Sequence, residues 1–236
     1  MRIPDAPVSL ANVPTQTTGT QIGLTWSDGS NNGGTPVIDY RISFNGGSGS
    51  VYTTVESNIV TLPYRAVSLT PGTTYSFQVQ SRNAFGYSPF SASVEILAAQ
   101  IPDRPAAPTT VLQDTNILIS WSAPFNQGSP ITSYKIQIRQ NDNSSYSLDL
   151  TNCDGSQQGF LTTTQCSVPV SVLRSAPFSL PWGSPVYATI IASNTYGDSL
   201  VSLPGSGGRI ITYPDAPINV VENLAQRTES TLGITW

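Results

Sequence analysis

One short run, read three times, constrains this chain more than any other feature. "PDAP" at Pro4–Pro7 returns as "PDRP" at Pro102–Pro105 and again as "PDAP" at Pro214–Pro217. The separations are 98 residues (102 − 4) and 112 residues (214 − 102), too long for a solenoid repeat and right for a whole domain. Each run leads to a second landmark: "IGLTW" at Ile22–Trp26, "ILISW" at Ile117–Trp121 and "LGITW" at Leu232–Trp236. A third landmark pairs "PVIDYRISF" (Pro36–Phe44) with "PITSYKIQI" (Pro130–Ile138). The repeats divide the chain into a first unit (1–101), a second unit (102–213) and the opening two strands of a third (214–236).

Inside the landmarks the apolar period is two. Ile22, Leu24 and Trp26 are expected on one face, Ile38, Tyr40, Ile42 and Phe44 on another, and Tyr75, Phe77 and Val79 on a third. Such alternation places one side of each strand in a core and the other in water, as in antiparallel sheets. Gly-rich breaks such as "NNGG" (Asn31–Gly34) and "NGGSGS" (Asn45–Ser50) supply the turns. Several short strands with turn signals between them predict an all-β sandwich in each unit, the units lying end to end.

The first unit resembles the fibronectin type III domain, an immunoglobulin-like antiparallel β-sandwich. The resemblance rests on the opening "PDAP", Trp26 on the second strand, Tyr40-x-Ile42, and "LTPGTTYSFQVQSRNAFGYS" from Leu69 to Ser88. It implies that Leu69, Pro71, Gly72 and Tyr75 form a tyrosine corner, with the hydroxyl bonded to an upstream backbone group. It also implies that Asn83-x-x-Gly86-x-Ser88 forms the turn between the last two strands. Trp26, Tyr40, Tyr75, Phe77, Trp121 and Tyr134 are the expected core, with Trp26 against Tyr40 and Phe77, and Trp121 against Tyr134. Aligning Asn194-x-x-Gly197 with Asn83-x-x-Gly86 puts Leu180 at Leu69, Trp182 at Pro71 and Val186 at Tyr75. The second unit therefore lacks the corner tyrosine, and Trp182 is expected to cover the gap. Its extra residues, between the third and sixth strands, resemble a variant found in large tandem-domain surface proteins of ciliated protists.

Charge and composition exclude several functions. The net charge is −4, with 10 Lys and Arg scattered singly, so there is no basic stripe for nucleic acid and none for an anionic membrane surface. No apolar run reaches membrane-spanning length. With no histidine, the commonest general base and metal ligand is missing. No Ser or Cys sits in a recognisable nucleophile setting and no carboxylates form a convincing pair, so no enzyme, cofactor or metal is expected. One Asp per junction (Asp5, Asp103, Asp215) is too few for calcium, which takes six to eight oxygens. The opening "MRIPDAP" lacks the apolar stretch of a signal peptide, leaving either an intracellular protein or a segment of a longer secreted chain.

Remaining features have bland readings that win. The two cysteines, Cys153 and Cys166, both fall in the insertion of the second unit. Lacking C-x-x-C spacing and a basic neighbour, they read as a structural disulfide worth about 3 kcal/mol in the chain-entropy model. Asn143-Ser144-Ser145 is the one N-x-S/T sequon, in a polar turn where a glycan fits. "PDAP" fits P-x-x-P, but its place at each unit's start reads as a stiff linker that protects a strand edge. "GGSGS" (Gly46–Ser50) and "GSGG" (Gly205–Gly208) read as hairpin turns or bulges, not phosphate cradles. Phe85, Tyr87 and Tyr196 stand near the last turns, where they contact a partner or, preferentially, the unit junction.

Three functions from different classes compete: a structural or adhesive segment of an extracellular rod or filament, a ligand-binding ectodomain of a cell-surface receptor, and an enzyme. Low charge and near-identical Pro-stiffened junctions favour the first. Its expected partners are other copies of the chain or further repeats of it, with a cell-surface or matrix protein or a glycan as alternatives. Leu232, Ile234 and Trp236 are the expected assembly residues. Two strands alone cannot bury them, so protein beyond the first two units is expected to cover them.

Overall fold

The computed structural model describes residues 1–211 and 216–235. The expectations for Trp236 and for the third junction at Pro214–Asp215 lie outside these residues.

The first unit contains eight strands: β1 (Val8–Asn12), β2 (Ile22–Ser27), β3 (Asp39–Phe44), β4 (Thr53–Ile59), β5 (Tyr64–Ala66), β6 (Thr74–Asn83), β7 (Gly86–Tyr87) and β8 (Val94–Leu97). They form two antiparallel sheets, ordered β1-β2-β5 and β4-β3-β6-β7, with β8 also pairing with β6. Alternation is the cause. Ile22, Leu24 and Trp26 point inward from one sheet and Ile42, Tyr75, Phe77 and Val79 from the other, and all of these are buried. Trp26 meets Tyr40 edge-on, with centroids 5.5 Å apart. Phe77 shares this core, but its ring neighbours are Phe44 at 6.0 Å and Tyr75 at 6.3 Å. The Tyr40 hydroxyl reaches outward to donate to Asp28 at 2.6 Å. Burial and that carboxylate raise its pKa. Ile38 departs from its expected face: it precedes β3 and is 56% exposed.

The expected tyrosine corner is present. The Thr70 N–H donates to the Tyr75 hydroxyl at 2.9 Å. Just beyond, the Gly72 N–H donates to the Ala98 carbonyl at 2.9 Å.

The second unit repeats the plan with β9 (Thr109–Gln113), β10 (Asn116–Ser120), β11 (Ser133–Arg139), β12 (Tyr146–Leu148), β13 (Gln165–Pro169), β14 (Ala188–Asn194) and β15 (Gly197–Asp198). The sheets run β13-β10-β9 and β12-β11-β14-β15. Trp121 meets Tyr134 edge-on at 5.3 Å. The extra length forms two short helices, α1 (Gln158–Thr163) and α2 (Val170–Arg174), flanking β13. Cys153 follows β12 while Cys166 lies on β13, opposite Ile119, so the bridge ties one sheet to the other. The pair is a disulfide with Cα atoms 5.4 Å apart, and both residues are buried. Cys166 thus sits on a paired strand and not in a loop.

One expectation fails here and another is narrowed. Trp182 does not cover the missing corner: it is 52% exposed, with the Arg174 guanidinium over its ring at 4.2 Å. Leu173, Phe178 and Leu180 are buried instead in the cluster that holds Val186, because the inserted segment brings its own apolar side chains. Of the two readings of the run at Gly205–Gly208, the bulge holds and the hairpin turn does not: its bridged positions are four residues apart (209 − 205) while their partners are three apart (188 − 185). Gly205 bridges Ala188 and passes so close to the Pro108 carbonyl that a Cβ there would collide with it.

After these units, β16 (Val221–Glu222) and β17 (Ile234–Thr235) form an antiparallel pair.

Candidate functional site

The features with functional content are the unit joint, the C-terminal hairpin and the open end of the second unit. The joint is built by an asparagine at the end of each unit's long strand, Asn83 on β6 and Asn194 on β14. At the start of the first unit, Asn83 Nδ2 donates to the carbonyls of Arg2 and Asn32, both at 2.8 Å. In the second, Asn194 Nδ2 donates to Gln100 at 2.8 Å and to Asn126 at 3.3 Å. Each Oδ1 accepts from the residue two ahead, Phe85 or Tyr196, at 2.8 Å. One amide therefore ties three segments together: the incoming strap, the turn before β3 or β11, and its own hairpin. Backbone bonds repeat alongside, Arg2 N to Gly33 O matching Gln100 N to Gln127 O, and Asp5 N to Asn31 O matching Asp103 N to Phe125 O.

Asp5 and Asp103 of the repeated run are structural. Asp5 accepts from Arg2 and Ser30, and Asp103 from Gln127. Among the described residues, no cluster of three His, Cys, Asp or Glu could hold a metal, and no helix is long and apolar enough to cross a membrane. One difference marks the two ends. Ser129 pairs its hydroxyl with Thr195 at 2.9 Å, whereas the buried Thr35 hydroxyl has no partner, because alanine stands at position 84.

Across the joint, the Gly128 backbone lies against Gly72, and a Cβ at Gly128 (φ +88°) would strike the Gly72 nitrogen. A cleft of ≈ 340 Å³ opens between the Pro14–Thr18 turn and Ala99–Ile101, with Tyr196 on its far side. Tyr196 thus stands at the junction, as preferred. Phe85 is exposed at the outer end of the first unit, and Tyr87 lies under Arg41 at 3.8 Å.

The C-terminal hairpin repeats backbone bonds of the opening of the first unit. Val13 N to Gly23 O recurs as Asn223 N to Gly233 O, both 2.8 Å, and the Thr18–Gln21 bond recurs as Thr228–Thr231. Register recurs too, Asn12↔Leu24 matching Glu222↔Ile234. Burial does not. Ile22 and Leu24 are 0% exposed, while Leu232 and Ile234 in their places are 66% and 46% exposed.

Asn143 is exposed, in a left-handed turn (φ +62°). Next to it, the Ser145 and Ser144 groups donate to Asp142 and hold its pKa down to about 2. The asparagine clamp escaped the sequence reading, although the recurrence of Asn-x-x-Gly in both units was its available signal.

All-β architecture with two antiparallel sheets per unit defines an immunoglobulin-like sandwich class. Residues 6–96 match the family model of the fibronectin type III domain. A 118-residue stretch, 48% of this chain and 10% of the relative, is 30% identical to "Fibronectin type-III domain-containing protein 3A" of Mus musculus. Another, 129 residues long, is 30% identical to "Receptor-type tyrosine-protein phosphatase S" of Gallus gallus, covering 52% of this chain and 8% of that one. The chain thus spans a tenth or less of the length of these relatives. A solved structure of the FN1–FN3 domains of chicken CNTN1 aligns with 93% of this chain and 72% of its own, at 17% identity and a TM-score of 0.41.

Proposed function

We propose that this chain is a non-enzymatic structural or adhesive segment of an extracellular rod or filament, assembled from sandwiches in series. The observation that carries the reading is the repeated joint, in which Asn194 Nδ2 bonds the Gln100 and Asn126 carbonyls as Asn83 Nδ2 bonds those of Arg2 and Asn32. On this reading the partners are further repeats of the same chain or other copies of it. The clamp at Asn194 supports serial stacking, because it fixes the incoming strap at Gln100 through which the second unit joins the first, as Asn83 fixes the strap at Arg2. The disulfide favours an oxidising compartment, and the exposed turn at Asn143 is suited to a glycan. The inserted second unit keeps the resemblance to protist surface proteins as a subsidiary proposal.

A ligand-binding ectodomain is the second reading, favoured by the similarity to a receptor-type phosphatase. Electron micrographs of native material separate the two. Fibres with a regular axial repeat are expected, and discrete particles would replace the filament with the receptor.

A further inference from the structure

The cleft at the joint has a chemistry of its own. At ≈ 340 Å³ it falls within the usual ligand-pocket range of about 300–1,000 Å³, and it lies between two units, where such pockets concentrate. Not one of its lining side chains is charged. Asn12, Thr15, Thr18, Gln100 and Tyr196 bring hydroxyls and amides instead, groups that both donate and accept. Their capacity is largely unspent. Gln100 and Tyr196 enter the clamp through backbone atoms alone, the Gln100 carbonyl and the Tyr196 N–H. The amide of one and the ring and hydroxyl of the other are left to the cleft. Asn12 accepts from Thr17, and Thr18 from the Thr20 N–H, which leaves the Asn12 amide hydrogens and the Thr18 hydroxyl proton for a ligand. Tyr196 is 47% exposed, and Ala99 and Ile101 line the same space, so the cleft carries apolar surface as well. The cleft at the open end of the second unit, ≈ 390 Å³, differs on both counts. It holds Asp114 and Arg174, and the Arg174 guanidinium already lies over the Trp182 ring at 4.2 Å.

We infer that the joint binds a neutral saccharide, held between the two units. A pyranose offers hydroxyls that each donate and accept, matching the uncharged amides and hydroxyls of the cleft, and a C–H face that covers an aromatic ring. A phosphate, carboxylate or ammonium ligand would give up its water here without meeting a counter-charge, which sets the selectivity. Both units contribute, Thr15 and Thr18 from the first and Tyr196 from the second, so an occupied cleft also stiffens the joint. Resting on the fixed joint that carries the adhesive reading, the site gives that reading a ligand class.

NMR of the whole chain, titrated separately with maltose, cellobiose, lactose and mannobiose, reads binding residue by residue. At least one of these neutral disaccharides is expected to shift the Tyr196 ring and the Thr15 and Thr18 methyl signals together, while glucuronic acid leaves them in place. Tyr196→Ala should weaken that sugar about tenfold and Thr15→Val a few-fold. Both units' melting transitions should stay in place, because Tyr196 enters the clamp only through its N–H and Thr15 is exposed. Should Tyr196→Ala fail to fold, Thr15→Val on the other unit decides. No shift at these residues with any of the disaccharides, shifts centred on Trp182 instead, or equal binding of glucuronic acid would each overturn the site. Those results would leave the joint and the adhesive reading standing, whereas native material without fibres would remove the filament whatever the sugars do.

Discussion

The two units solve one mechanical problem differently at the same place. Each must fix the corner where the chain crosses from one sheet to the other ahead of its long central strand. The first does so with one hydroxyl: Tyr75 accepts from Thr70 N–H at 2.9 Å. The second has Val186 there, and relies on the buried Leu173, Phe178 and Leu180 of its insertion. A disulfide further back on the same crossing, between Cys153 and Cys166, ties its sheets together. The common backbone bond, Gly72 to Ala98 or Gly183 to Ile210, survives in both. The sandwich therefore requires the corner's backbone geometry, and the side chains that enforce it are exchangeable.

The sharpest break in this comparison is at what the units share. Trp26→Ala and Trp121→Ala each remove a buried indole packed edge-on against a tyrosine. Each should cost its own unit about 3–5 kcal/mol, read as a lowered midpoint in urea with the other unit unaffected. Reduction comes next and should act on one side only. With the disulfide opened, the second unit should lose about 3 kcal/mol while the first melts unchanged. Tyr75→Phe is the reciprocal and smaller experiment. It removes one hydrogen bond and should cost the first unit about 1 kcal/mol, with no effect on the second.

The smallest effect is electrostatic and belongs to the second unit. Asp142 is held at about 2 by hydrogen bonds from Ser145 and Ser144. Its folded pKa lies below the ordinary carboxylate value, so its contribution is present above that value and lost as pH falls toward about 2. Carboxylate chemical shifts followed by NMR should show Asp142 still ionised at a pH where ordinary carboxylates are half protonated.

Much of this was legible in the amino-acid order. The repeat spacing marked the units, period-two alternation marked the inward faces, and Tyr75 could be placed through its neighbours Leu69 and Gly72. Other parts were not legible, for identifiable reasons. Trp182 was misplaced because counting back from Asn194 assigns it a position without saying which inserted side chains fill the core first. Gly205–Gly208 stayed open between turn and bulge because glycine serves two needs, left-handed backbone and close approach, and the second applies to Gly205 beside Pro108. The clamp was hidden because Asn83 bonds backbone oxygens 81 and 51 positions away in sequence. No local pattern encodes a partner at that distance, and a repeated asparagine hints only that one exists.

The central claim is that an asparagine at the end of each long strand holds successive sandwiches in a fixed joint. Spin labels at the exposed Val60 and Leu203, introduced without disturbing the disulfide, report the distance between units by pulsed electron resonance. The native chain should give one narrow distribution. Asn194→Ala should broaden it at a temperature where both units remain folded, with the second unit's melting transition lowered and the first unit's unchanged. A broad distribution in the native chain, or a narrow one that survives Asn194→Ala, would contradict the claim.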